Sequence, residues 1–428
     1  MKPNLSDPMK FPSTAIIAFI AGFPALLNAN GFRLVSQDAF AAARGEAFAA
    51  TADNPSAIHY NPAGISQLEG QQFRIGAYAL HFDPTFSPPE GSPNAGKTYE
   101  IEDKDALAPQ LYYTYAVPDC PLTLGLGVYA PHGASVTWPQ DTGFRTVATD
   151  GELTYLRINP VASLEIRPGL SIAIGAMIDN ASISNGQALL VDERPFKNSF
   201  DFEGDAFSVG YNFGILWQIN EQWSVGATYR SKSRMNFEGE TKVEQEPFFN
   251  KTKVDAEMEL DFPSTTVFGV SYRPTERWNI ELNADYTNWS TIGTTAIEQK
   301  DPPPYPVQQD IPVTMDWKDS WIMKLGVTRY FDEGWYASAG YVFNENSVPS
   351  TNYSPVVADL DRHFLTLGVG REWSRYSVDF AYQYGFAPTR TVTGSTPPST
   401  PAANAGQNAD GSYDFESHAL LLSFGVRF

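Results

Sequence analysis

FSVGYNFGILWQI, residues 207–219, decides the fold. Phe207, Val209, Tyr211, Phe213, Ile215, Trp217 and Ile219 take one parity, while Ser208, Gly210, Asn212, Gly214 and Gln218 take the other. A period of two is the mark of a strand with one apolar face and one polar or small face. Residues 276–287 repeat it, with Trp278, Ile280, Leu282, Ala284 and Tyr286 set against Asn279, Glu281, Asn283, Asp285 and Thr287. A face this apolar meets acyl chains in a membrane barrel, and the alternate face lines the lumen.

Working outward, the same pattern predicts strands over 71–83, 105–117, 121–138, 150–167, 170–184, 200–219 and 222–240, then 253–273, 276–293, 311–331, 334–347, 361–373, 375–391 and 412–428. The total is fourteen, an even number, as bacterial outer-membrane barrels require. Their connections alternate between tight turns, such as Pro118–Pro121 and Arg167–Leu170, and long loops, such as 84–104 and 392–411. A soluble sandwich has no reason to sort its loops this way, whereas a barrel has a periplasmic and an outer face. Trp217, Trp223, Trp278, Trp335, Trp373 and Tyr376 gather beside the tight turns, where an interfacial aromatic girdle belongs. The expected fold class is therefore all-β, a 14-stranded antiparallel transmembrane barrel over residues 71–428.

Composition narrows the function classes. The net charge of −20 over 428 residues disfavours nucleic acid, whose phosphates demand a basic face. No apolar run is long enough for a spanning helix. The longest follows Lys2 and Lys10 and precedes Asn28-Ala29-Asn30, which predicts a signal peptide over 1–29 cleaved after Ala29. The single Cys120 makes no intramolecular disulfide and is not placed to carry a lipid anchor. The five histidines show no metal-ligand spacing, no nucleophile elbow or phosphate loop appears, and no cofactor or catalytic residue is expected.

Residues 30–70 differ from everything after them. GFRLVSQDAFAAARGEAFAATADNPSAIHYNPAGISQLEG (31–70) is Ala-rich and carries Asn54-Pro55 and Asn61-Pro62. Asn is a good N-cap and Pro suits the first helical turn, so short helices separated by turns are expected. About eight strands is the barrel size that interior side chains can fill, so fourteen leave a lumen that this segment would plug.

At Gly31-Phe32, at 45–47 and at Asn61-Pro62-Ala63 this stretch resembles the N-terminal hatch of FadL-type outer-membrane transporters for long-chain fatty acids and other hydrophobic compounds. The resemblance implies a fatty acid or hydrocarbon as ligand, captured at the extracellular loops and held above the hatch. It implies lateral release into the membrane through a kink in the third strand, and a gating role for Asn61, Pro62 and Ala63. Phe32 would sit in the ligand pocket. Arg157, on the lumen parity with Tyr155 and Asn159, is a candidate partner for a carboxylate, or else pairs with a hatch or wall acid. Arg230, Lys232 and Arg234 are read as further lumen-side cations. Pro131-His132-Gly133 interrupts the third strand's alternation, because Pro removes a ladder donor and Gly weakens a strand interior. The chain ends HALLLSFGVRF, and the terminal Phe428 resembles the signal read by the outer-membrane assembly machinery. A monomer is expected. The alternative reading is a general diffusion porin for small polar solutes.

Overall fold

The computed structural model describes residues 31–34, 36–191, 198–245, 249–402 and 406–428. The expected leader, 1–29, and Asn30 lie outside the described residues. Among the described residues the sheet contains 21 segments, and seventeen of them make the fourteen antiparallel passes of a closed barrel. In order these are Gln71–Ser87, Asp105–Ala116, Leu122–Tyr129 continued by Ala134–Thr137, Asp150–Arg167, Leu170–Ala188, Asn198–Gln218, and Trp223–Arg230 continued by Ser233–Gln245. The eighth is Phe249–Phe262 continued by Thr265–Thr275, and the rest are Trp278–Thr287, Ser320–Tyr330, Trp335–Asn344, Arg362–Glu372, Tyr376–Phe386 and Gly411–Arg427. The first strand pairs with the last from Gln72↔Arg427 to Ser87↔Ser412, which closes the sheet and abolishes its edges.

The faces fall as the alternation requires. Phe207, Val209, Tyr211, Phe213 and Ile215 are exposed, as are Leu420, Leu422 and Phe424 on the last strand. Asn279, Glu281, Asn283, Asp285 and Thr287 are buried in the lumen. The tight-turn aromatics Trp217, Trp223, Trp278, Trp335, Trp373 and Tyr376 are all exposed.

Several strands differ from their expected spans. The ninth ends at Thr287 because Trp289–Thr291 forms a turn, and Thr294–Gln299 then pairs with Asp310–Thr314 as a hairpin that continues the wall beside the eighth strand. The tenth accordingly begins at Ser320 rather than 311. The seventh is broken at Ser231-Lys232 and the eighth at Pro263-Ser264, where Pro supplies no N–H for the ladder.

The hatch fills the lumen. Ala39–Ala43 is capped by Asp38, whose carboxylate accepts from the Phe40 and Ala41 N–H groups. Ala57–Tyr60 follows, and a 3₁₀ turn at Pro62–Gln67 starts on Asn61, which accepts from the Ala63 N–H. Its backbone lies directly on the wall where the wall has no side chain: a Cβ on Gly340 would stand 2.1 Å from the Gly45 nitrogen. Ion pairs tie it down. Arg33 meets Asp285 at 2.7 Å, Arg44 meets Glu281 at 3.4 Å, and Arg74 holds Asp38 on the hatch and Asp379 on the wall together. Burial pushes the Glu46 carboxyl of the hatch up to about 7, opposed by the nearby Lys324 charge and the Tyr60 hydroxyl.

Candidate functional site

The eighth strand explains where a site can form. Val254, Ala256, Met258, Leu260 and Phe262 point inward and are buried, while Asp255 and Glu259 point out and are exposed. Here the apolar face is the lumen face, the reverse of the lower wall. The same inversion occurs within the sixth strand, where Phe200 and Phe202 are buried inside while Phe207 and Val209 are exposed outside. Carboxylates are costly against lipid, so this upper wall stands in water and its apolar side chains line an internal chamber.

That chamber lies between hatch and loops, with about 970 Å³ of space counting its open mouth. Phe32, Leu153, Phe202, Met258, Leu260 and Trp317 line it, with Gly151 and the Asp150 and Glu152 backbone region at one edge. Phe32 packs its ring 5.1 Å from Trp317 and 6.3 Å from Trp289. Gly31 is required beside it, since its φ is +65° and a Cβ would stand 2.6 Å from Trp317.

The third strand bends inward beside Phe32. Its pairing with the fourth runs to Tyr129↔Arg157 and resumes at Ala134↔Leu153, so four residues oppose three. This one-residue excess is a bulge. Toward the second strand the ladder stops at Leu111↔Val128, although Asp105–Gln110 goes on pairing with the first strand. Above the resulting gap, the Glu102 N–H donates to the Thr137 carbonyl at 2.9 Å.

Groups freed by the bend are taken up by the hatch. Leu34 N–H donates to Pro131 O, and Gly133 N–H donates to Phe32 O, both at 2.9 Å. Arg33 and His132 form the bridge between them. The Gln37 side chain donates to Ala130 O at 2.7 Å. Pro131, His132 and Gly133 are therefore held against Phe32, and residues 32–34 act as a short strand inside the barrel.

Asn61, Pro62 and Ala63 lie elsewhere. Asn61 Nδ2 donates to Ala49 O at 2.7 Å and to Ile215 O on the sixth strand at 3.0 Å. Ala63 O accepts from Ser163 Oγ at 3.1 Å, and Ala63 packs with Ala173 and Leu216. This triplet fastens the hatch to the wall.

Arg157 is not in the apolar chamber. It pairs with Asp179 through Nε at 2.7 Å and Nη2 at 2.8 Å, so the wall acid takes the charge. It lines a smaller, narrow cavity with Arg33, His59, His132 and Arg230. Arg230 faces the lumen as expected, but Lys232 and Arg234 face outward, where their side chains are 48% and 61% exposed. The break at Ser231-Lys232 shifts the alternation by one residue, and such a shift moves every following side chain to the other face. Met258, Leu260, Phe202 and Trp317 are chamber residues that the sequence reading missed. Their signal was the alternation of apolar with acidic residues in VDAEMELDF (254–262).

Comparison with known proteins agrees with this architecture. The long-chain fatty acid transport protein of Escherichia coli (strain K12) is 21% identical, with 89% of this chain and 89% of that protein covered. Outer membrane protein P1 of Haemophilus influenzae is 23% identical over 83% of this chain and 86% of that protein. Among solved structures, a Pseudomonas aeruginosa FadL homologue superposes with a TM-score of 0.80 at 17% identity, over 93% of this chain and 100% of that one. The Ralstonia pickettii toluene transporter TbuX superposes with a TM-score of 0.68 at 16% identity, over 94% and 99%. Residues 17–428 match the family described as "Outer membrane protein transport protein (OMPP1/FadL/TodX)". The chain belongs to this family of outer-membrane transport proteins.

Proposed function

We propose that this protein carries long-chain fatty acids or other hydrophobic compounds into the cell, taking them from the extracellular loops into the apolar chamber. From there the ligand passes sideways through the gap between the second and third strands. The chamber is the observation that carries the reading. Its walls are aliphatic and aromatic, the lining of a pocket for hydrophobic ligands. Relatives named for fatty acids and for toluene support the class of ligand without choosing between them. The family consists of transport channels rather than enzymes.

Phe32 is the chamber floor and the link to the third strand in this reading, so ligand pressing on its ring loads the bend at Pro131-His132-Gly133. Asn61, Pro62 and Ala63 serve as the anchor about which the hatch yields. Arg157 is committed to Asp179 and serves the wall. Phe428, whose N–H donates to Gln71 O at 2.9 Å, is the assembly signal, and the barrel acts as a monomer. A diffusion porin has no use for a lumen filled by residues 31–68.

Filling the chamber tests the proposal. Leu153→Trp with Met258→Trp puts two rings where ligand methylenes would lie. Burial is worth about 0.8 kcal/mol per CH₂, so excluding three of them weakens binding more than tenfold. Titration of the purified barrel with a fluorescent fatty-acid analogue reads this directly. Unchanged affinity in a folded double variant would place the ligand outside the chamber.

A further inference from the structure

The barrel wall has a second interruption, away from the third strand. The sixth strand pairs with the lower seventh strand as far as Asn212↔Arg230 and with the upper seventh strand only from Asp205↔Glu238. Between these points residues 206–211 face residues 231–237 without ladder pairs and out of register by one. The eighth strand breaks at the same level, at Pro263-Ser264. The seventh strand steps inward here: Ser233 Oγ reaches past the sixth strand and donates to Asp179 Oδ2 on the fifth at 2.7 Å. Only the lower lip is patched, where Ser231 N–H donates to Tyr211 O at 2.9 Å and Tyr211 N–H donates to Ser231 Oγ at 3.0 Å.

Behind the break lies the smaller, narrow cavity, lined by Ser231, Ser233 and Pro263 on the wall and by Leu34 and His132 at the hatch side. In front of it, Phe207 and Val209 are each 61% exposed on the lipid face. The cavity is cationic. Arg33 and Arg157 are paired with acids, but Arg230 is 7% exposed and its Nε and Nη2 have no hydrogen-bond partner among the described residues. A buried guanidinium with open donors calls for an anion, and its planar fork suits a carboxylate.

We infer that the break between the sixth and seventh strands is a second side passage, used by amphiphiles with an anionic head. The head group rests on Arg230 while the chain slides out past Phe207 and Val209. Neutral hydrocarbons, which gain nothing from Arg230, have the third-strand gap alone, whereas fatty acids have both routes. This inference rests on the transport reading above. It differs in assigning the wall between strands six and seven a traffic that a closed barrel would forbid. Ladder groups left open toward lipid are costly, so an interruption here needs a use or a partner.

A cysteine cross-link provides the test. A Cβ at Gly210 would stand 3.5 Å from Ser233 Oγ, within reach of a disulfide. Gly210→Cys with Ser233→Cys, in a Cys120→Ser background, pins the seventh strand to the sixth when oxidised and frees it when reduced. Labelled palmitate uptake by cells carrying this protein should fall at least threefold on oxidation, while uptake of a neutral alkane stays within twofold. Equal palmitate uptake in both states overturns the passage, and so does an equal loss of both substrates. Uptake of neither substrate in the reduced form would instead defeat the transport reading itself. Should the bridge not form, the single Ser233→Cys variant decides. The passage requires that a maleimide-bearing lipid in the bilayer label this buried position and that excess palmitate slow the labelling; an unreactive thiol contradicts it.

Discussion

A barrel lacking residues 31–68 should conduct ions at least ten times better than the intact protein. Fourteen strands leave a lumen that wall side chains cannot fill. In the intact chain the hatch occupies it with buried Ala, Phe and Ile side chains and with ion pairs to the first and ninth strands. Removing the hatch exposes Glu281, Asp285, Lys324 and Asp379, which then line a wet pore. The wall ladder runs from Gln72↔Arg427 round to its neighbours without using any hatch residue for closure, so the barrel should still assemble. Planar-bilayer recording of a variant in which residues 31–68 are deleted, joining residue 30 to Glu69, measures the change. Silence from an assembled, hatchless barrel would mean that the loops, not the hatch, seal the lumen.

The second large effect concerns the bend. Deleting His132 while replacing Pro131→Val and Gly133→Thr removes the extra residue, restores the missing N–H donor and stiffens the third strand. The upper ladder to the second strand can then continue past Leu111↔Val128, and the gap closes. Uptake of a neutral hydrocarbon should fall at least tenfold, while thermal stability holds or rises as the new ladder bonds replace the contacts to Phe32 and Leu34. Full uptake by a folded, straightened variant would send the ligand straight through the hatch.

Much of this was legible in the residues. Alternation in 207–219 and 276–287 located the lipid face, because one register shift would bury the wrong set of side chains. Asn61-Pro62 announced a helical start, and Pro131-His132-Gly133 announced a broken strand, since both depend on local backbone chemistry. The chamber was harder. Alternation says that two faces differ, not which one looks inward, and above the membrane the answer inverts. Met258 and Leu260 could be placed only by noticing that Asp255, Glu257, Glu259 and Asp261 cannot face lipid. Lys232 and Arg234 were lost to the break at Ser231, which carries neither Pro nor Gly to mark it. The pairing of Arg157 with Asp179 joins neighbouring strands through their register, which a list of strand spans does not contain.

The most direct measurement is uptake in a bacterial host without its own transporter for hydrophobic compounds. Labelled palmitate, an alkane and toluene would be offered one at a time, with a small sugar as control. Saturable uptake of at least one hydrophobic compound is expected, with no gain in sugar entry. That uptake should be lost when Leu153→Trp and Met258→Trp fill the chamber. Sugar entry without uptake of any hydrophobic compound, from a barrel shown to be in the outer membrane, would contradict it.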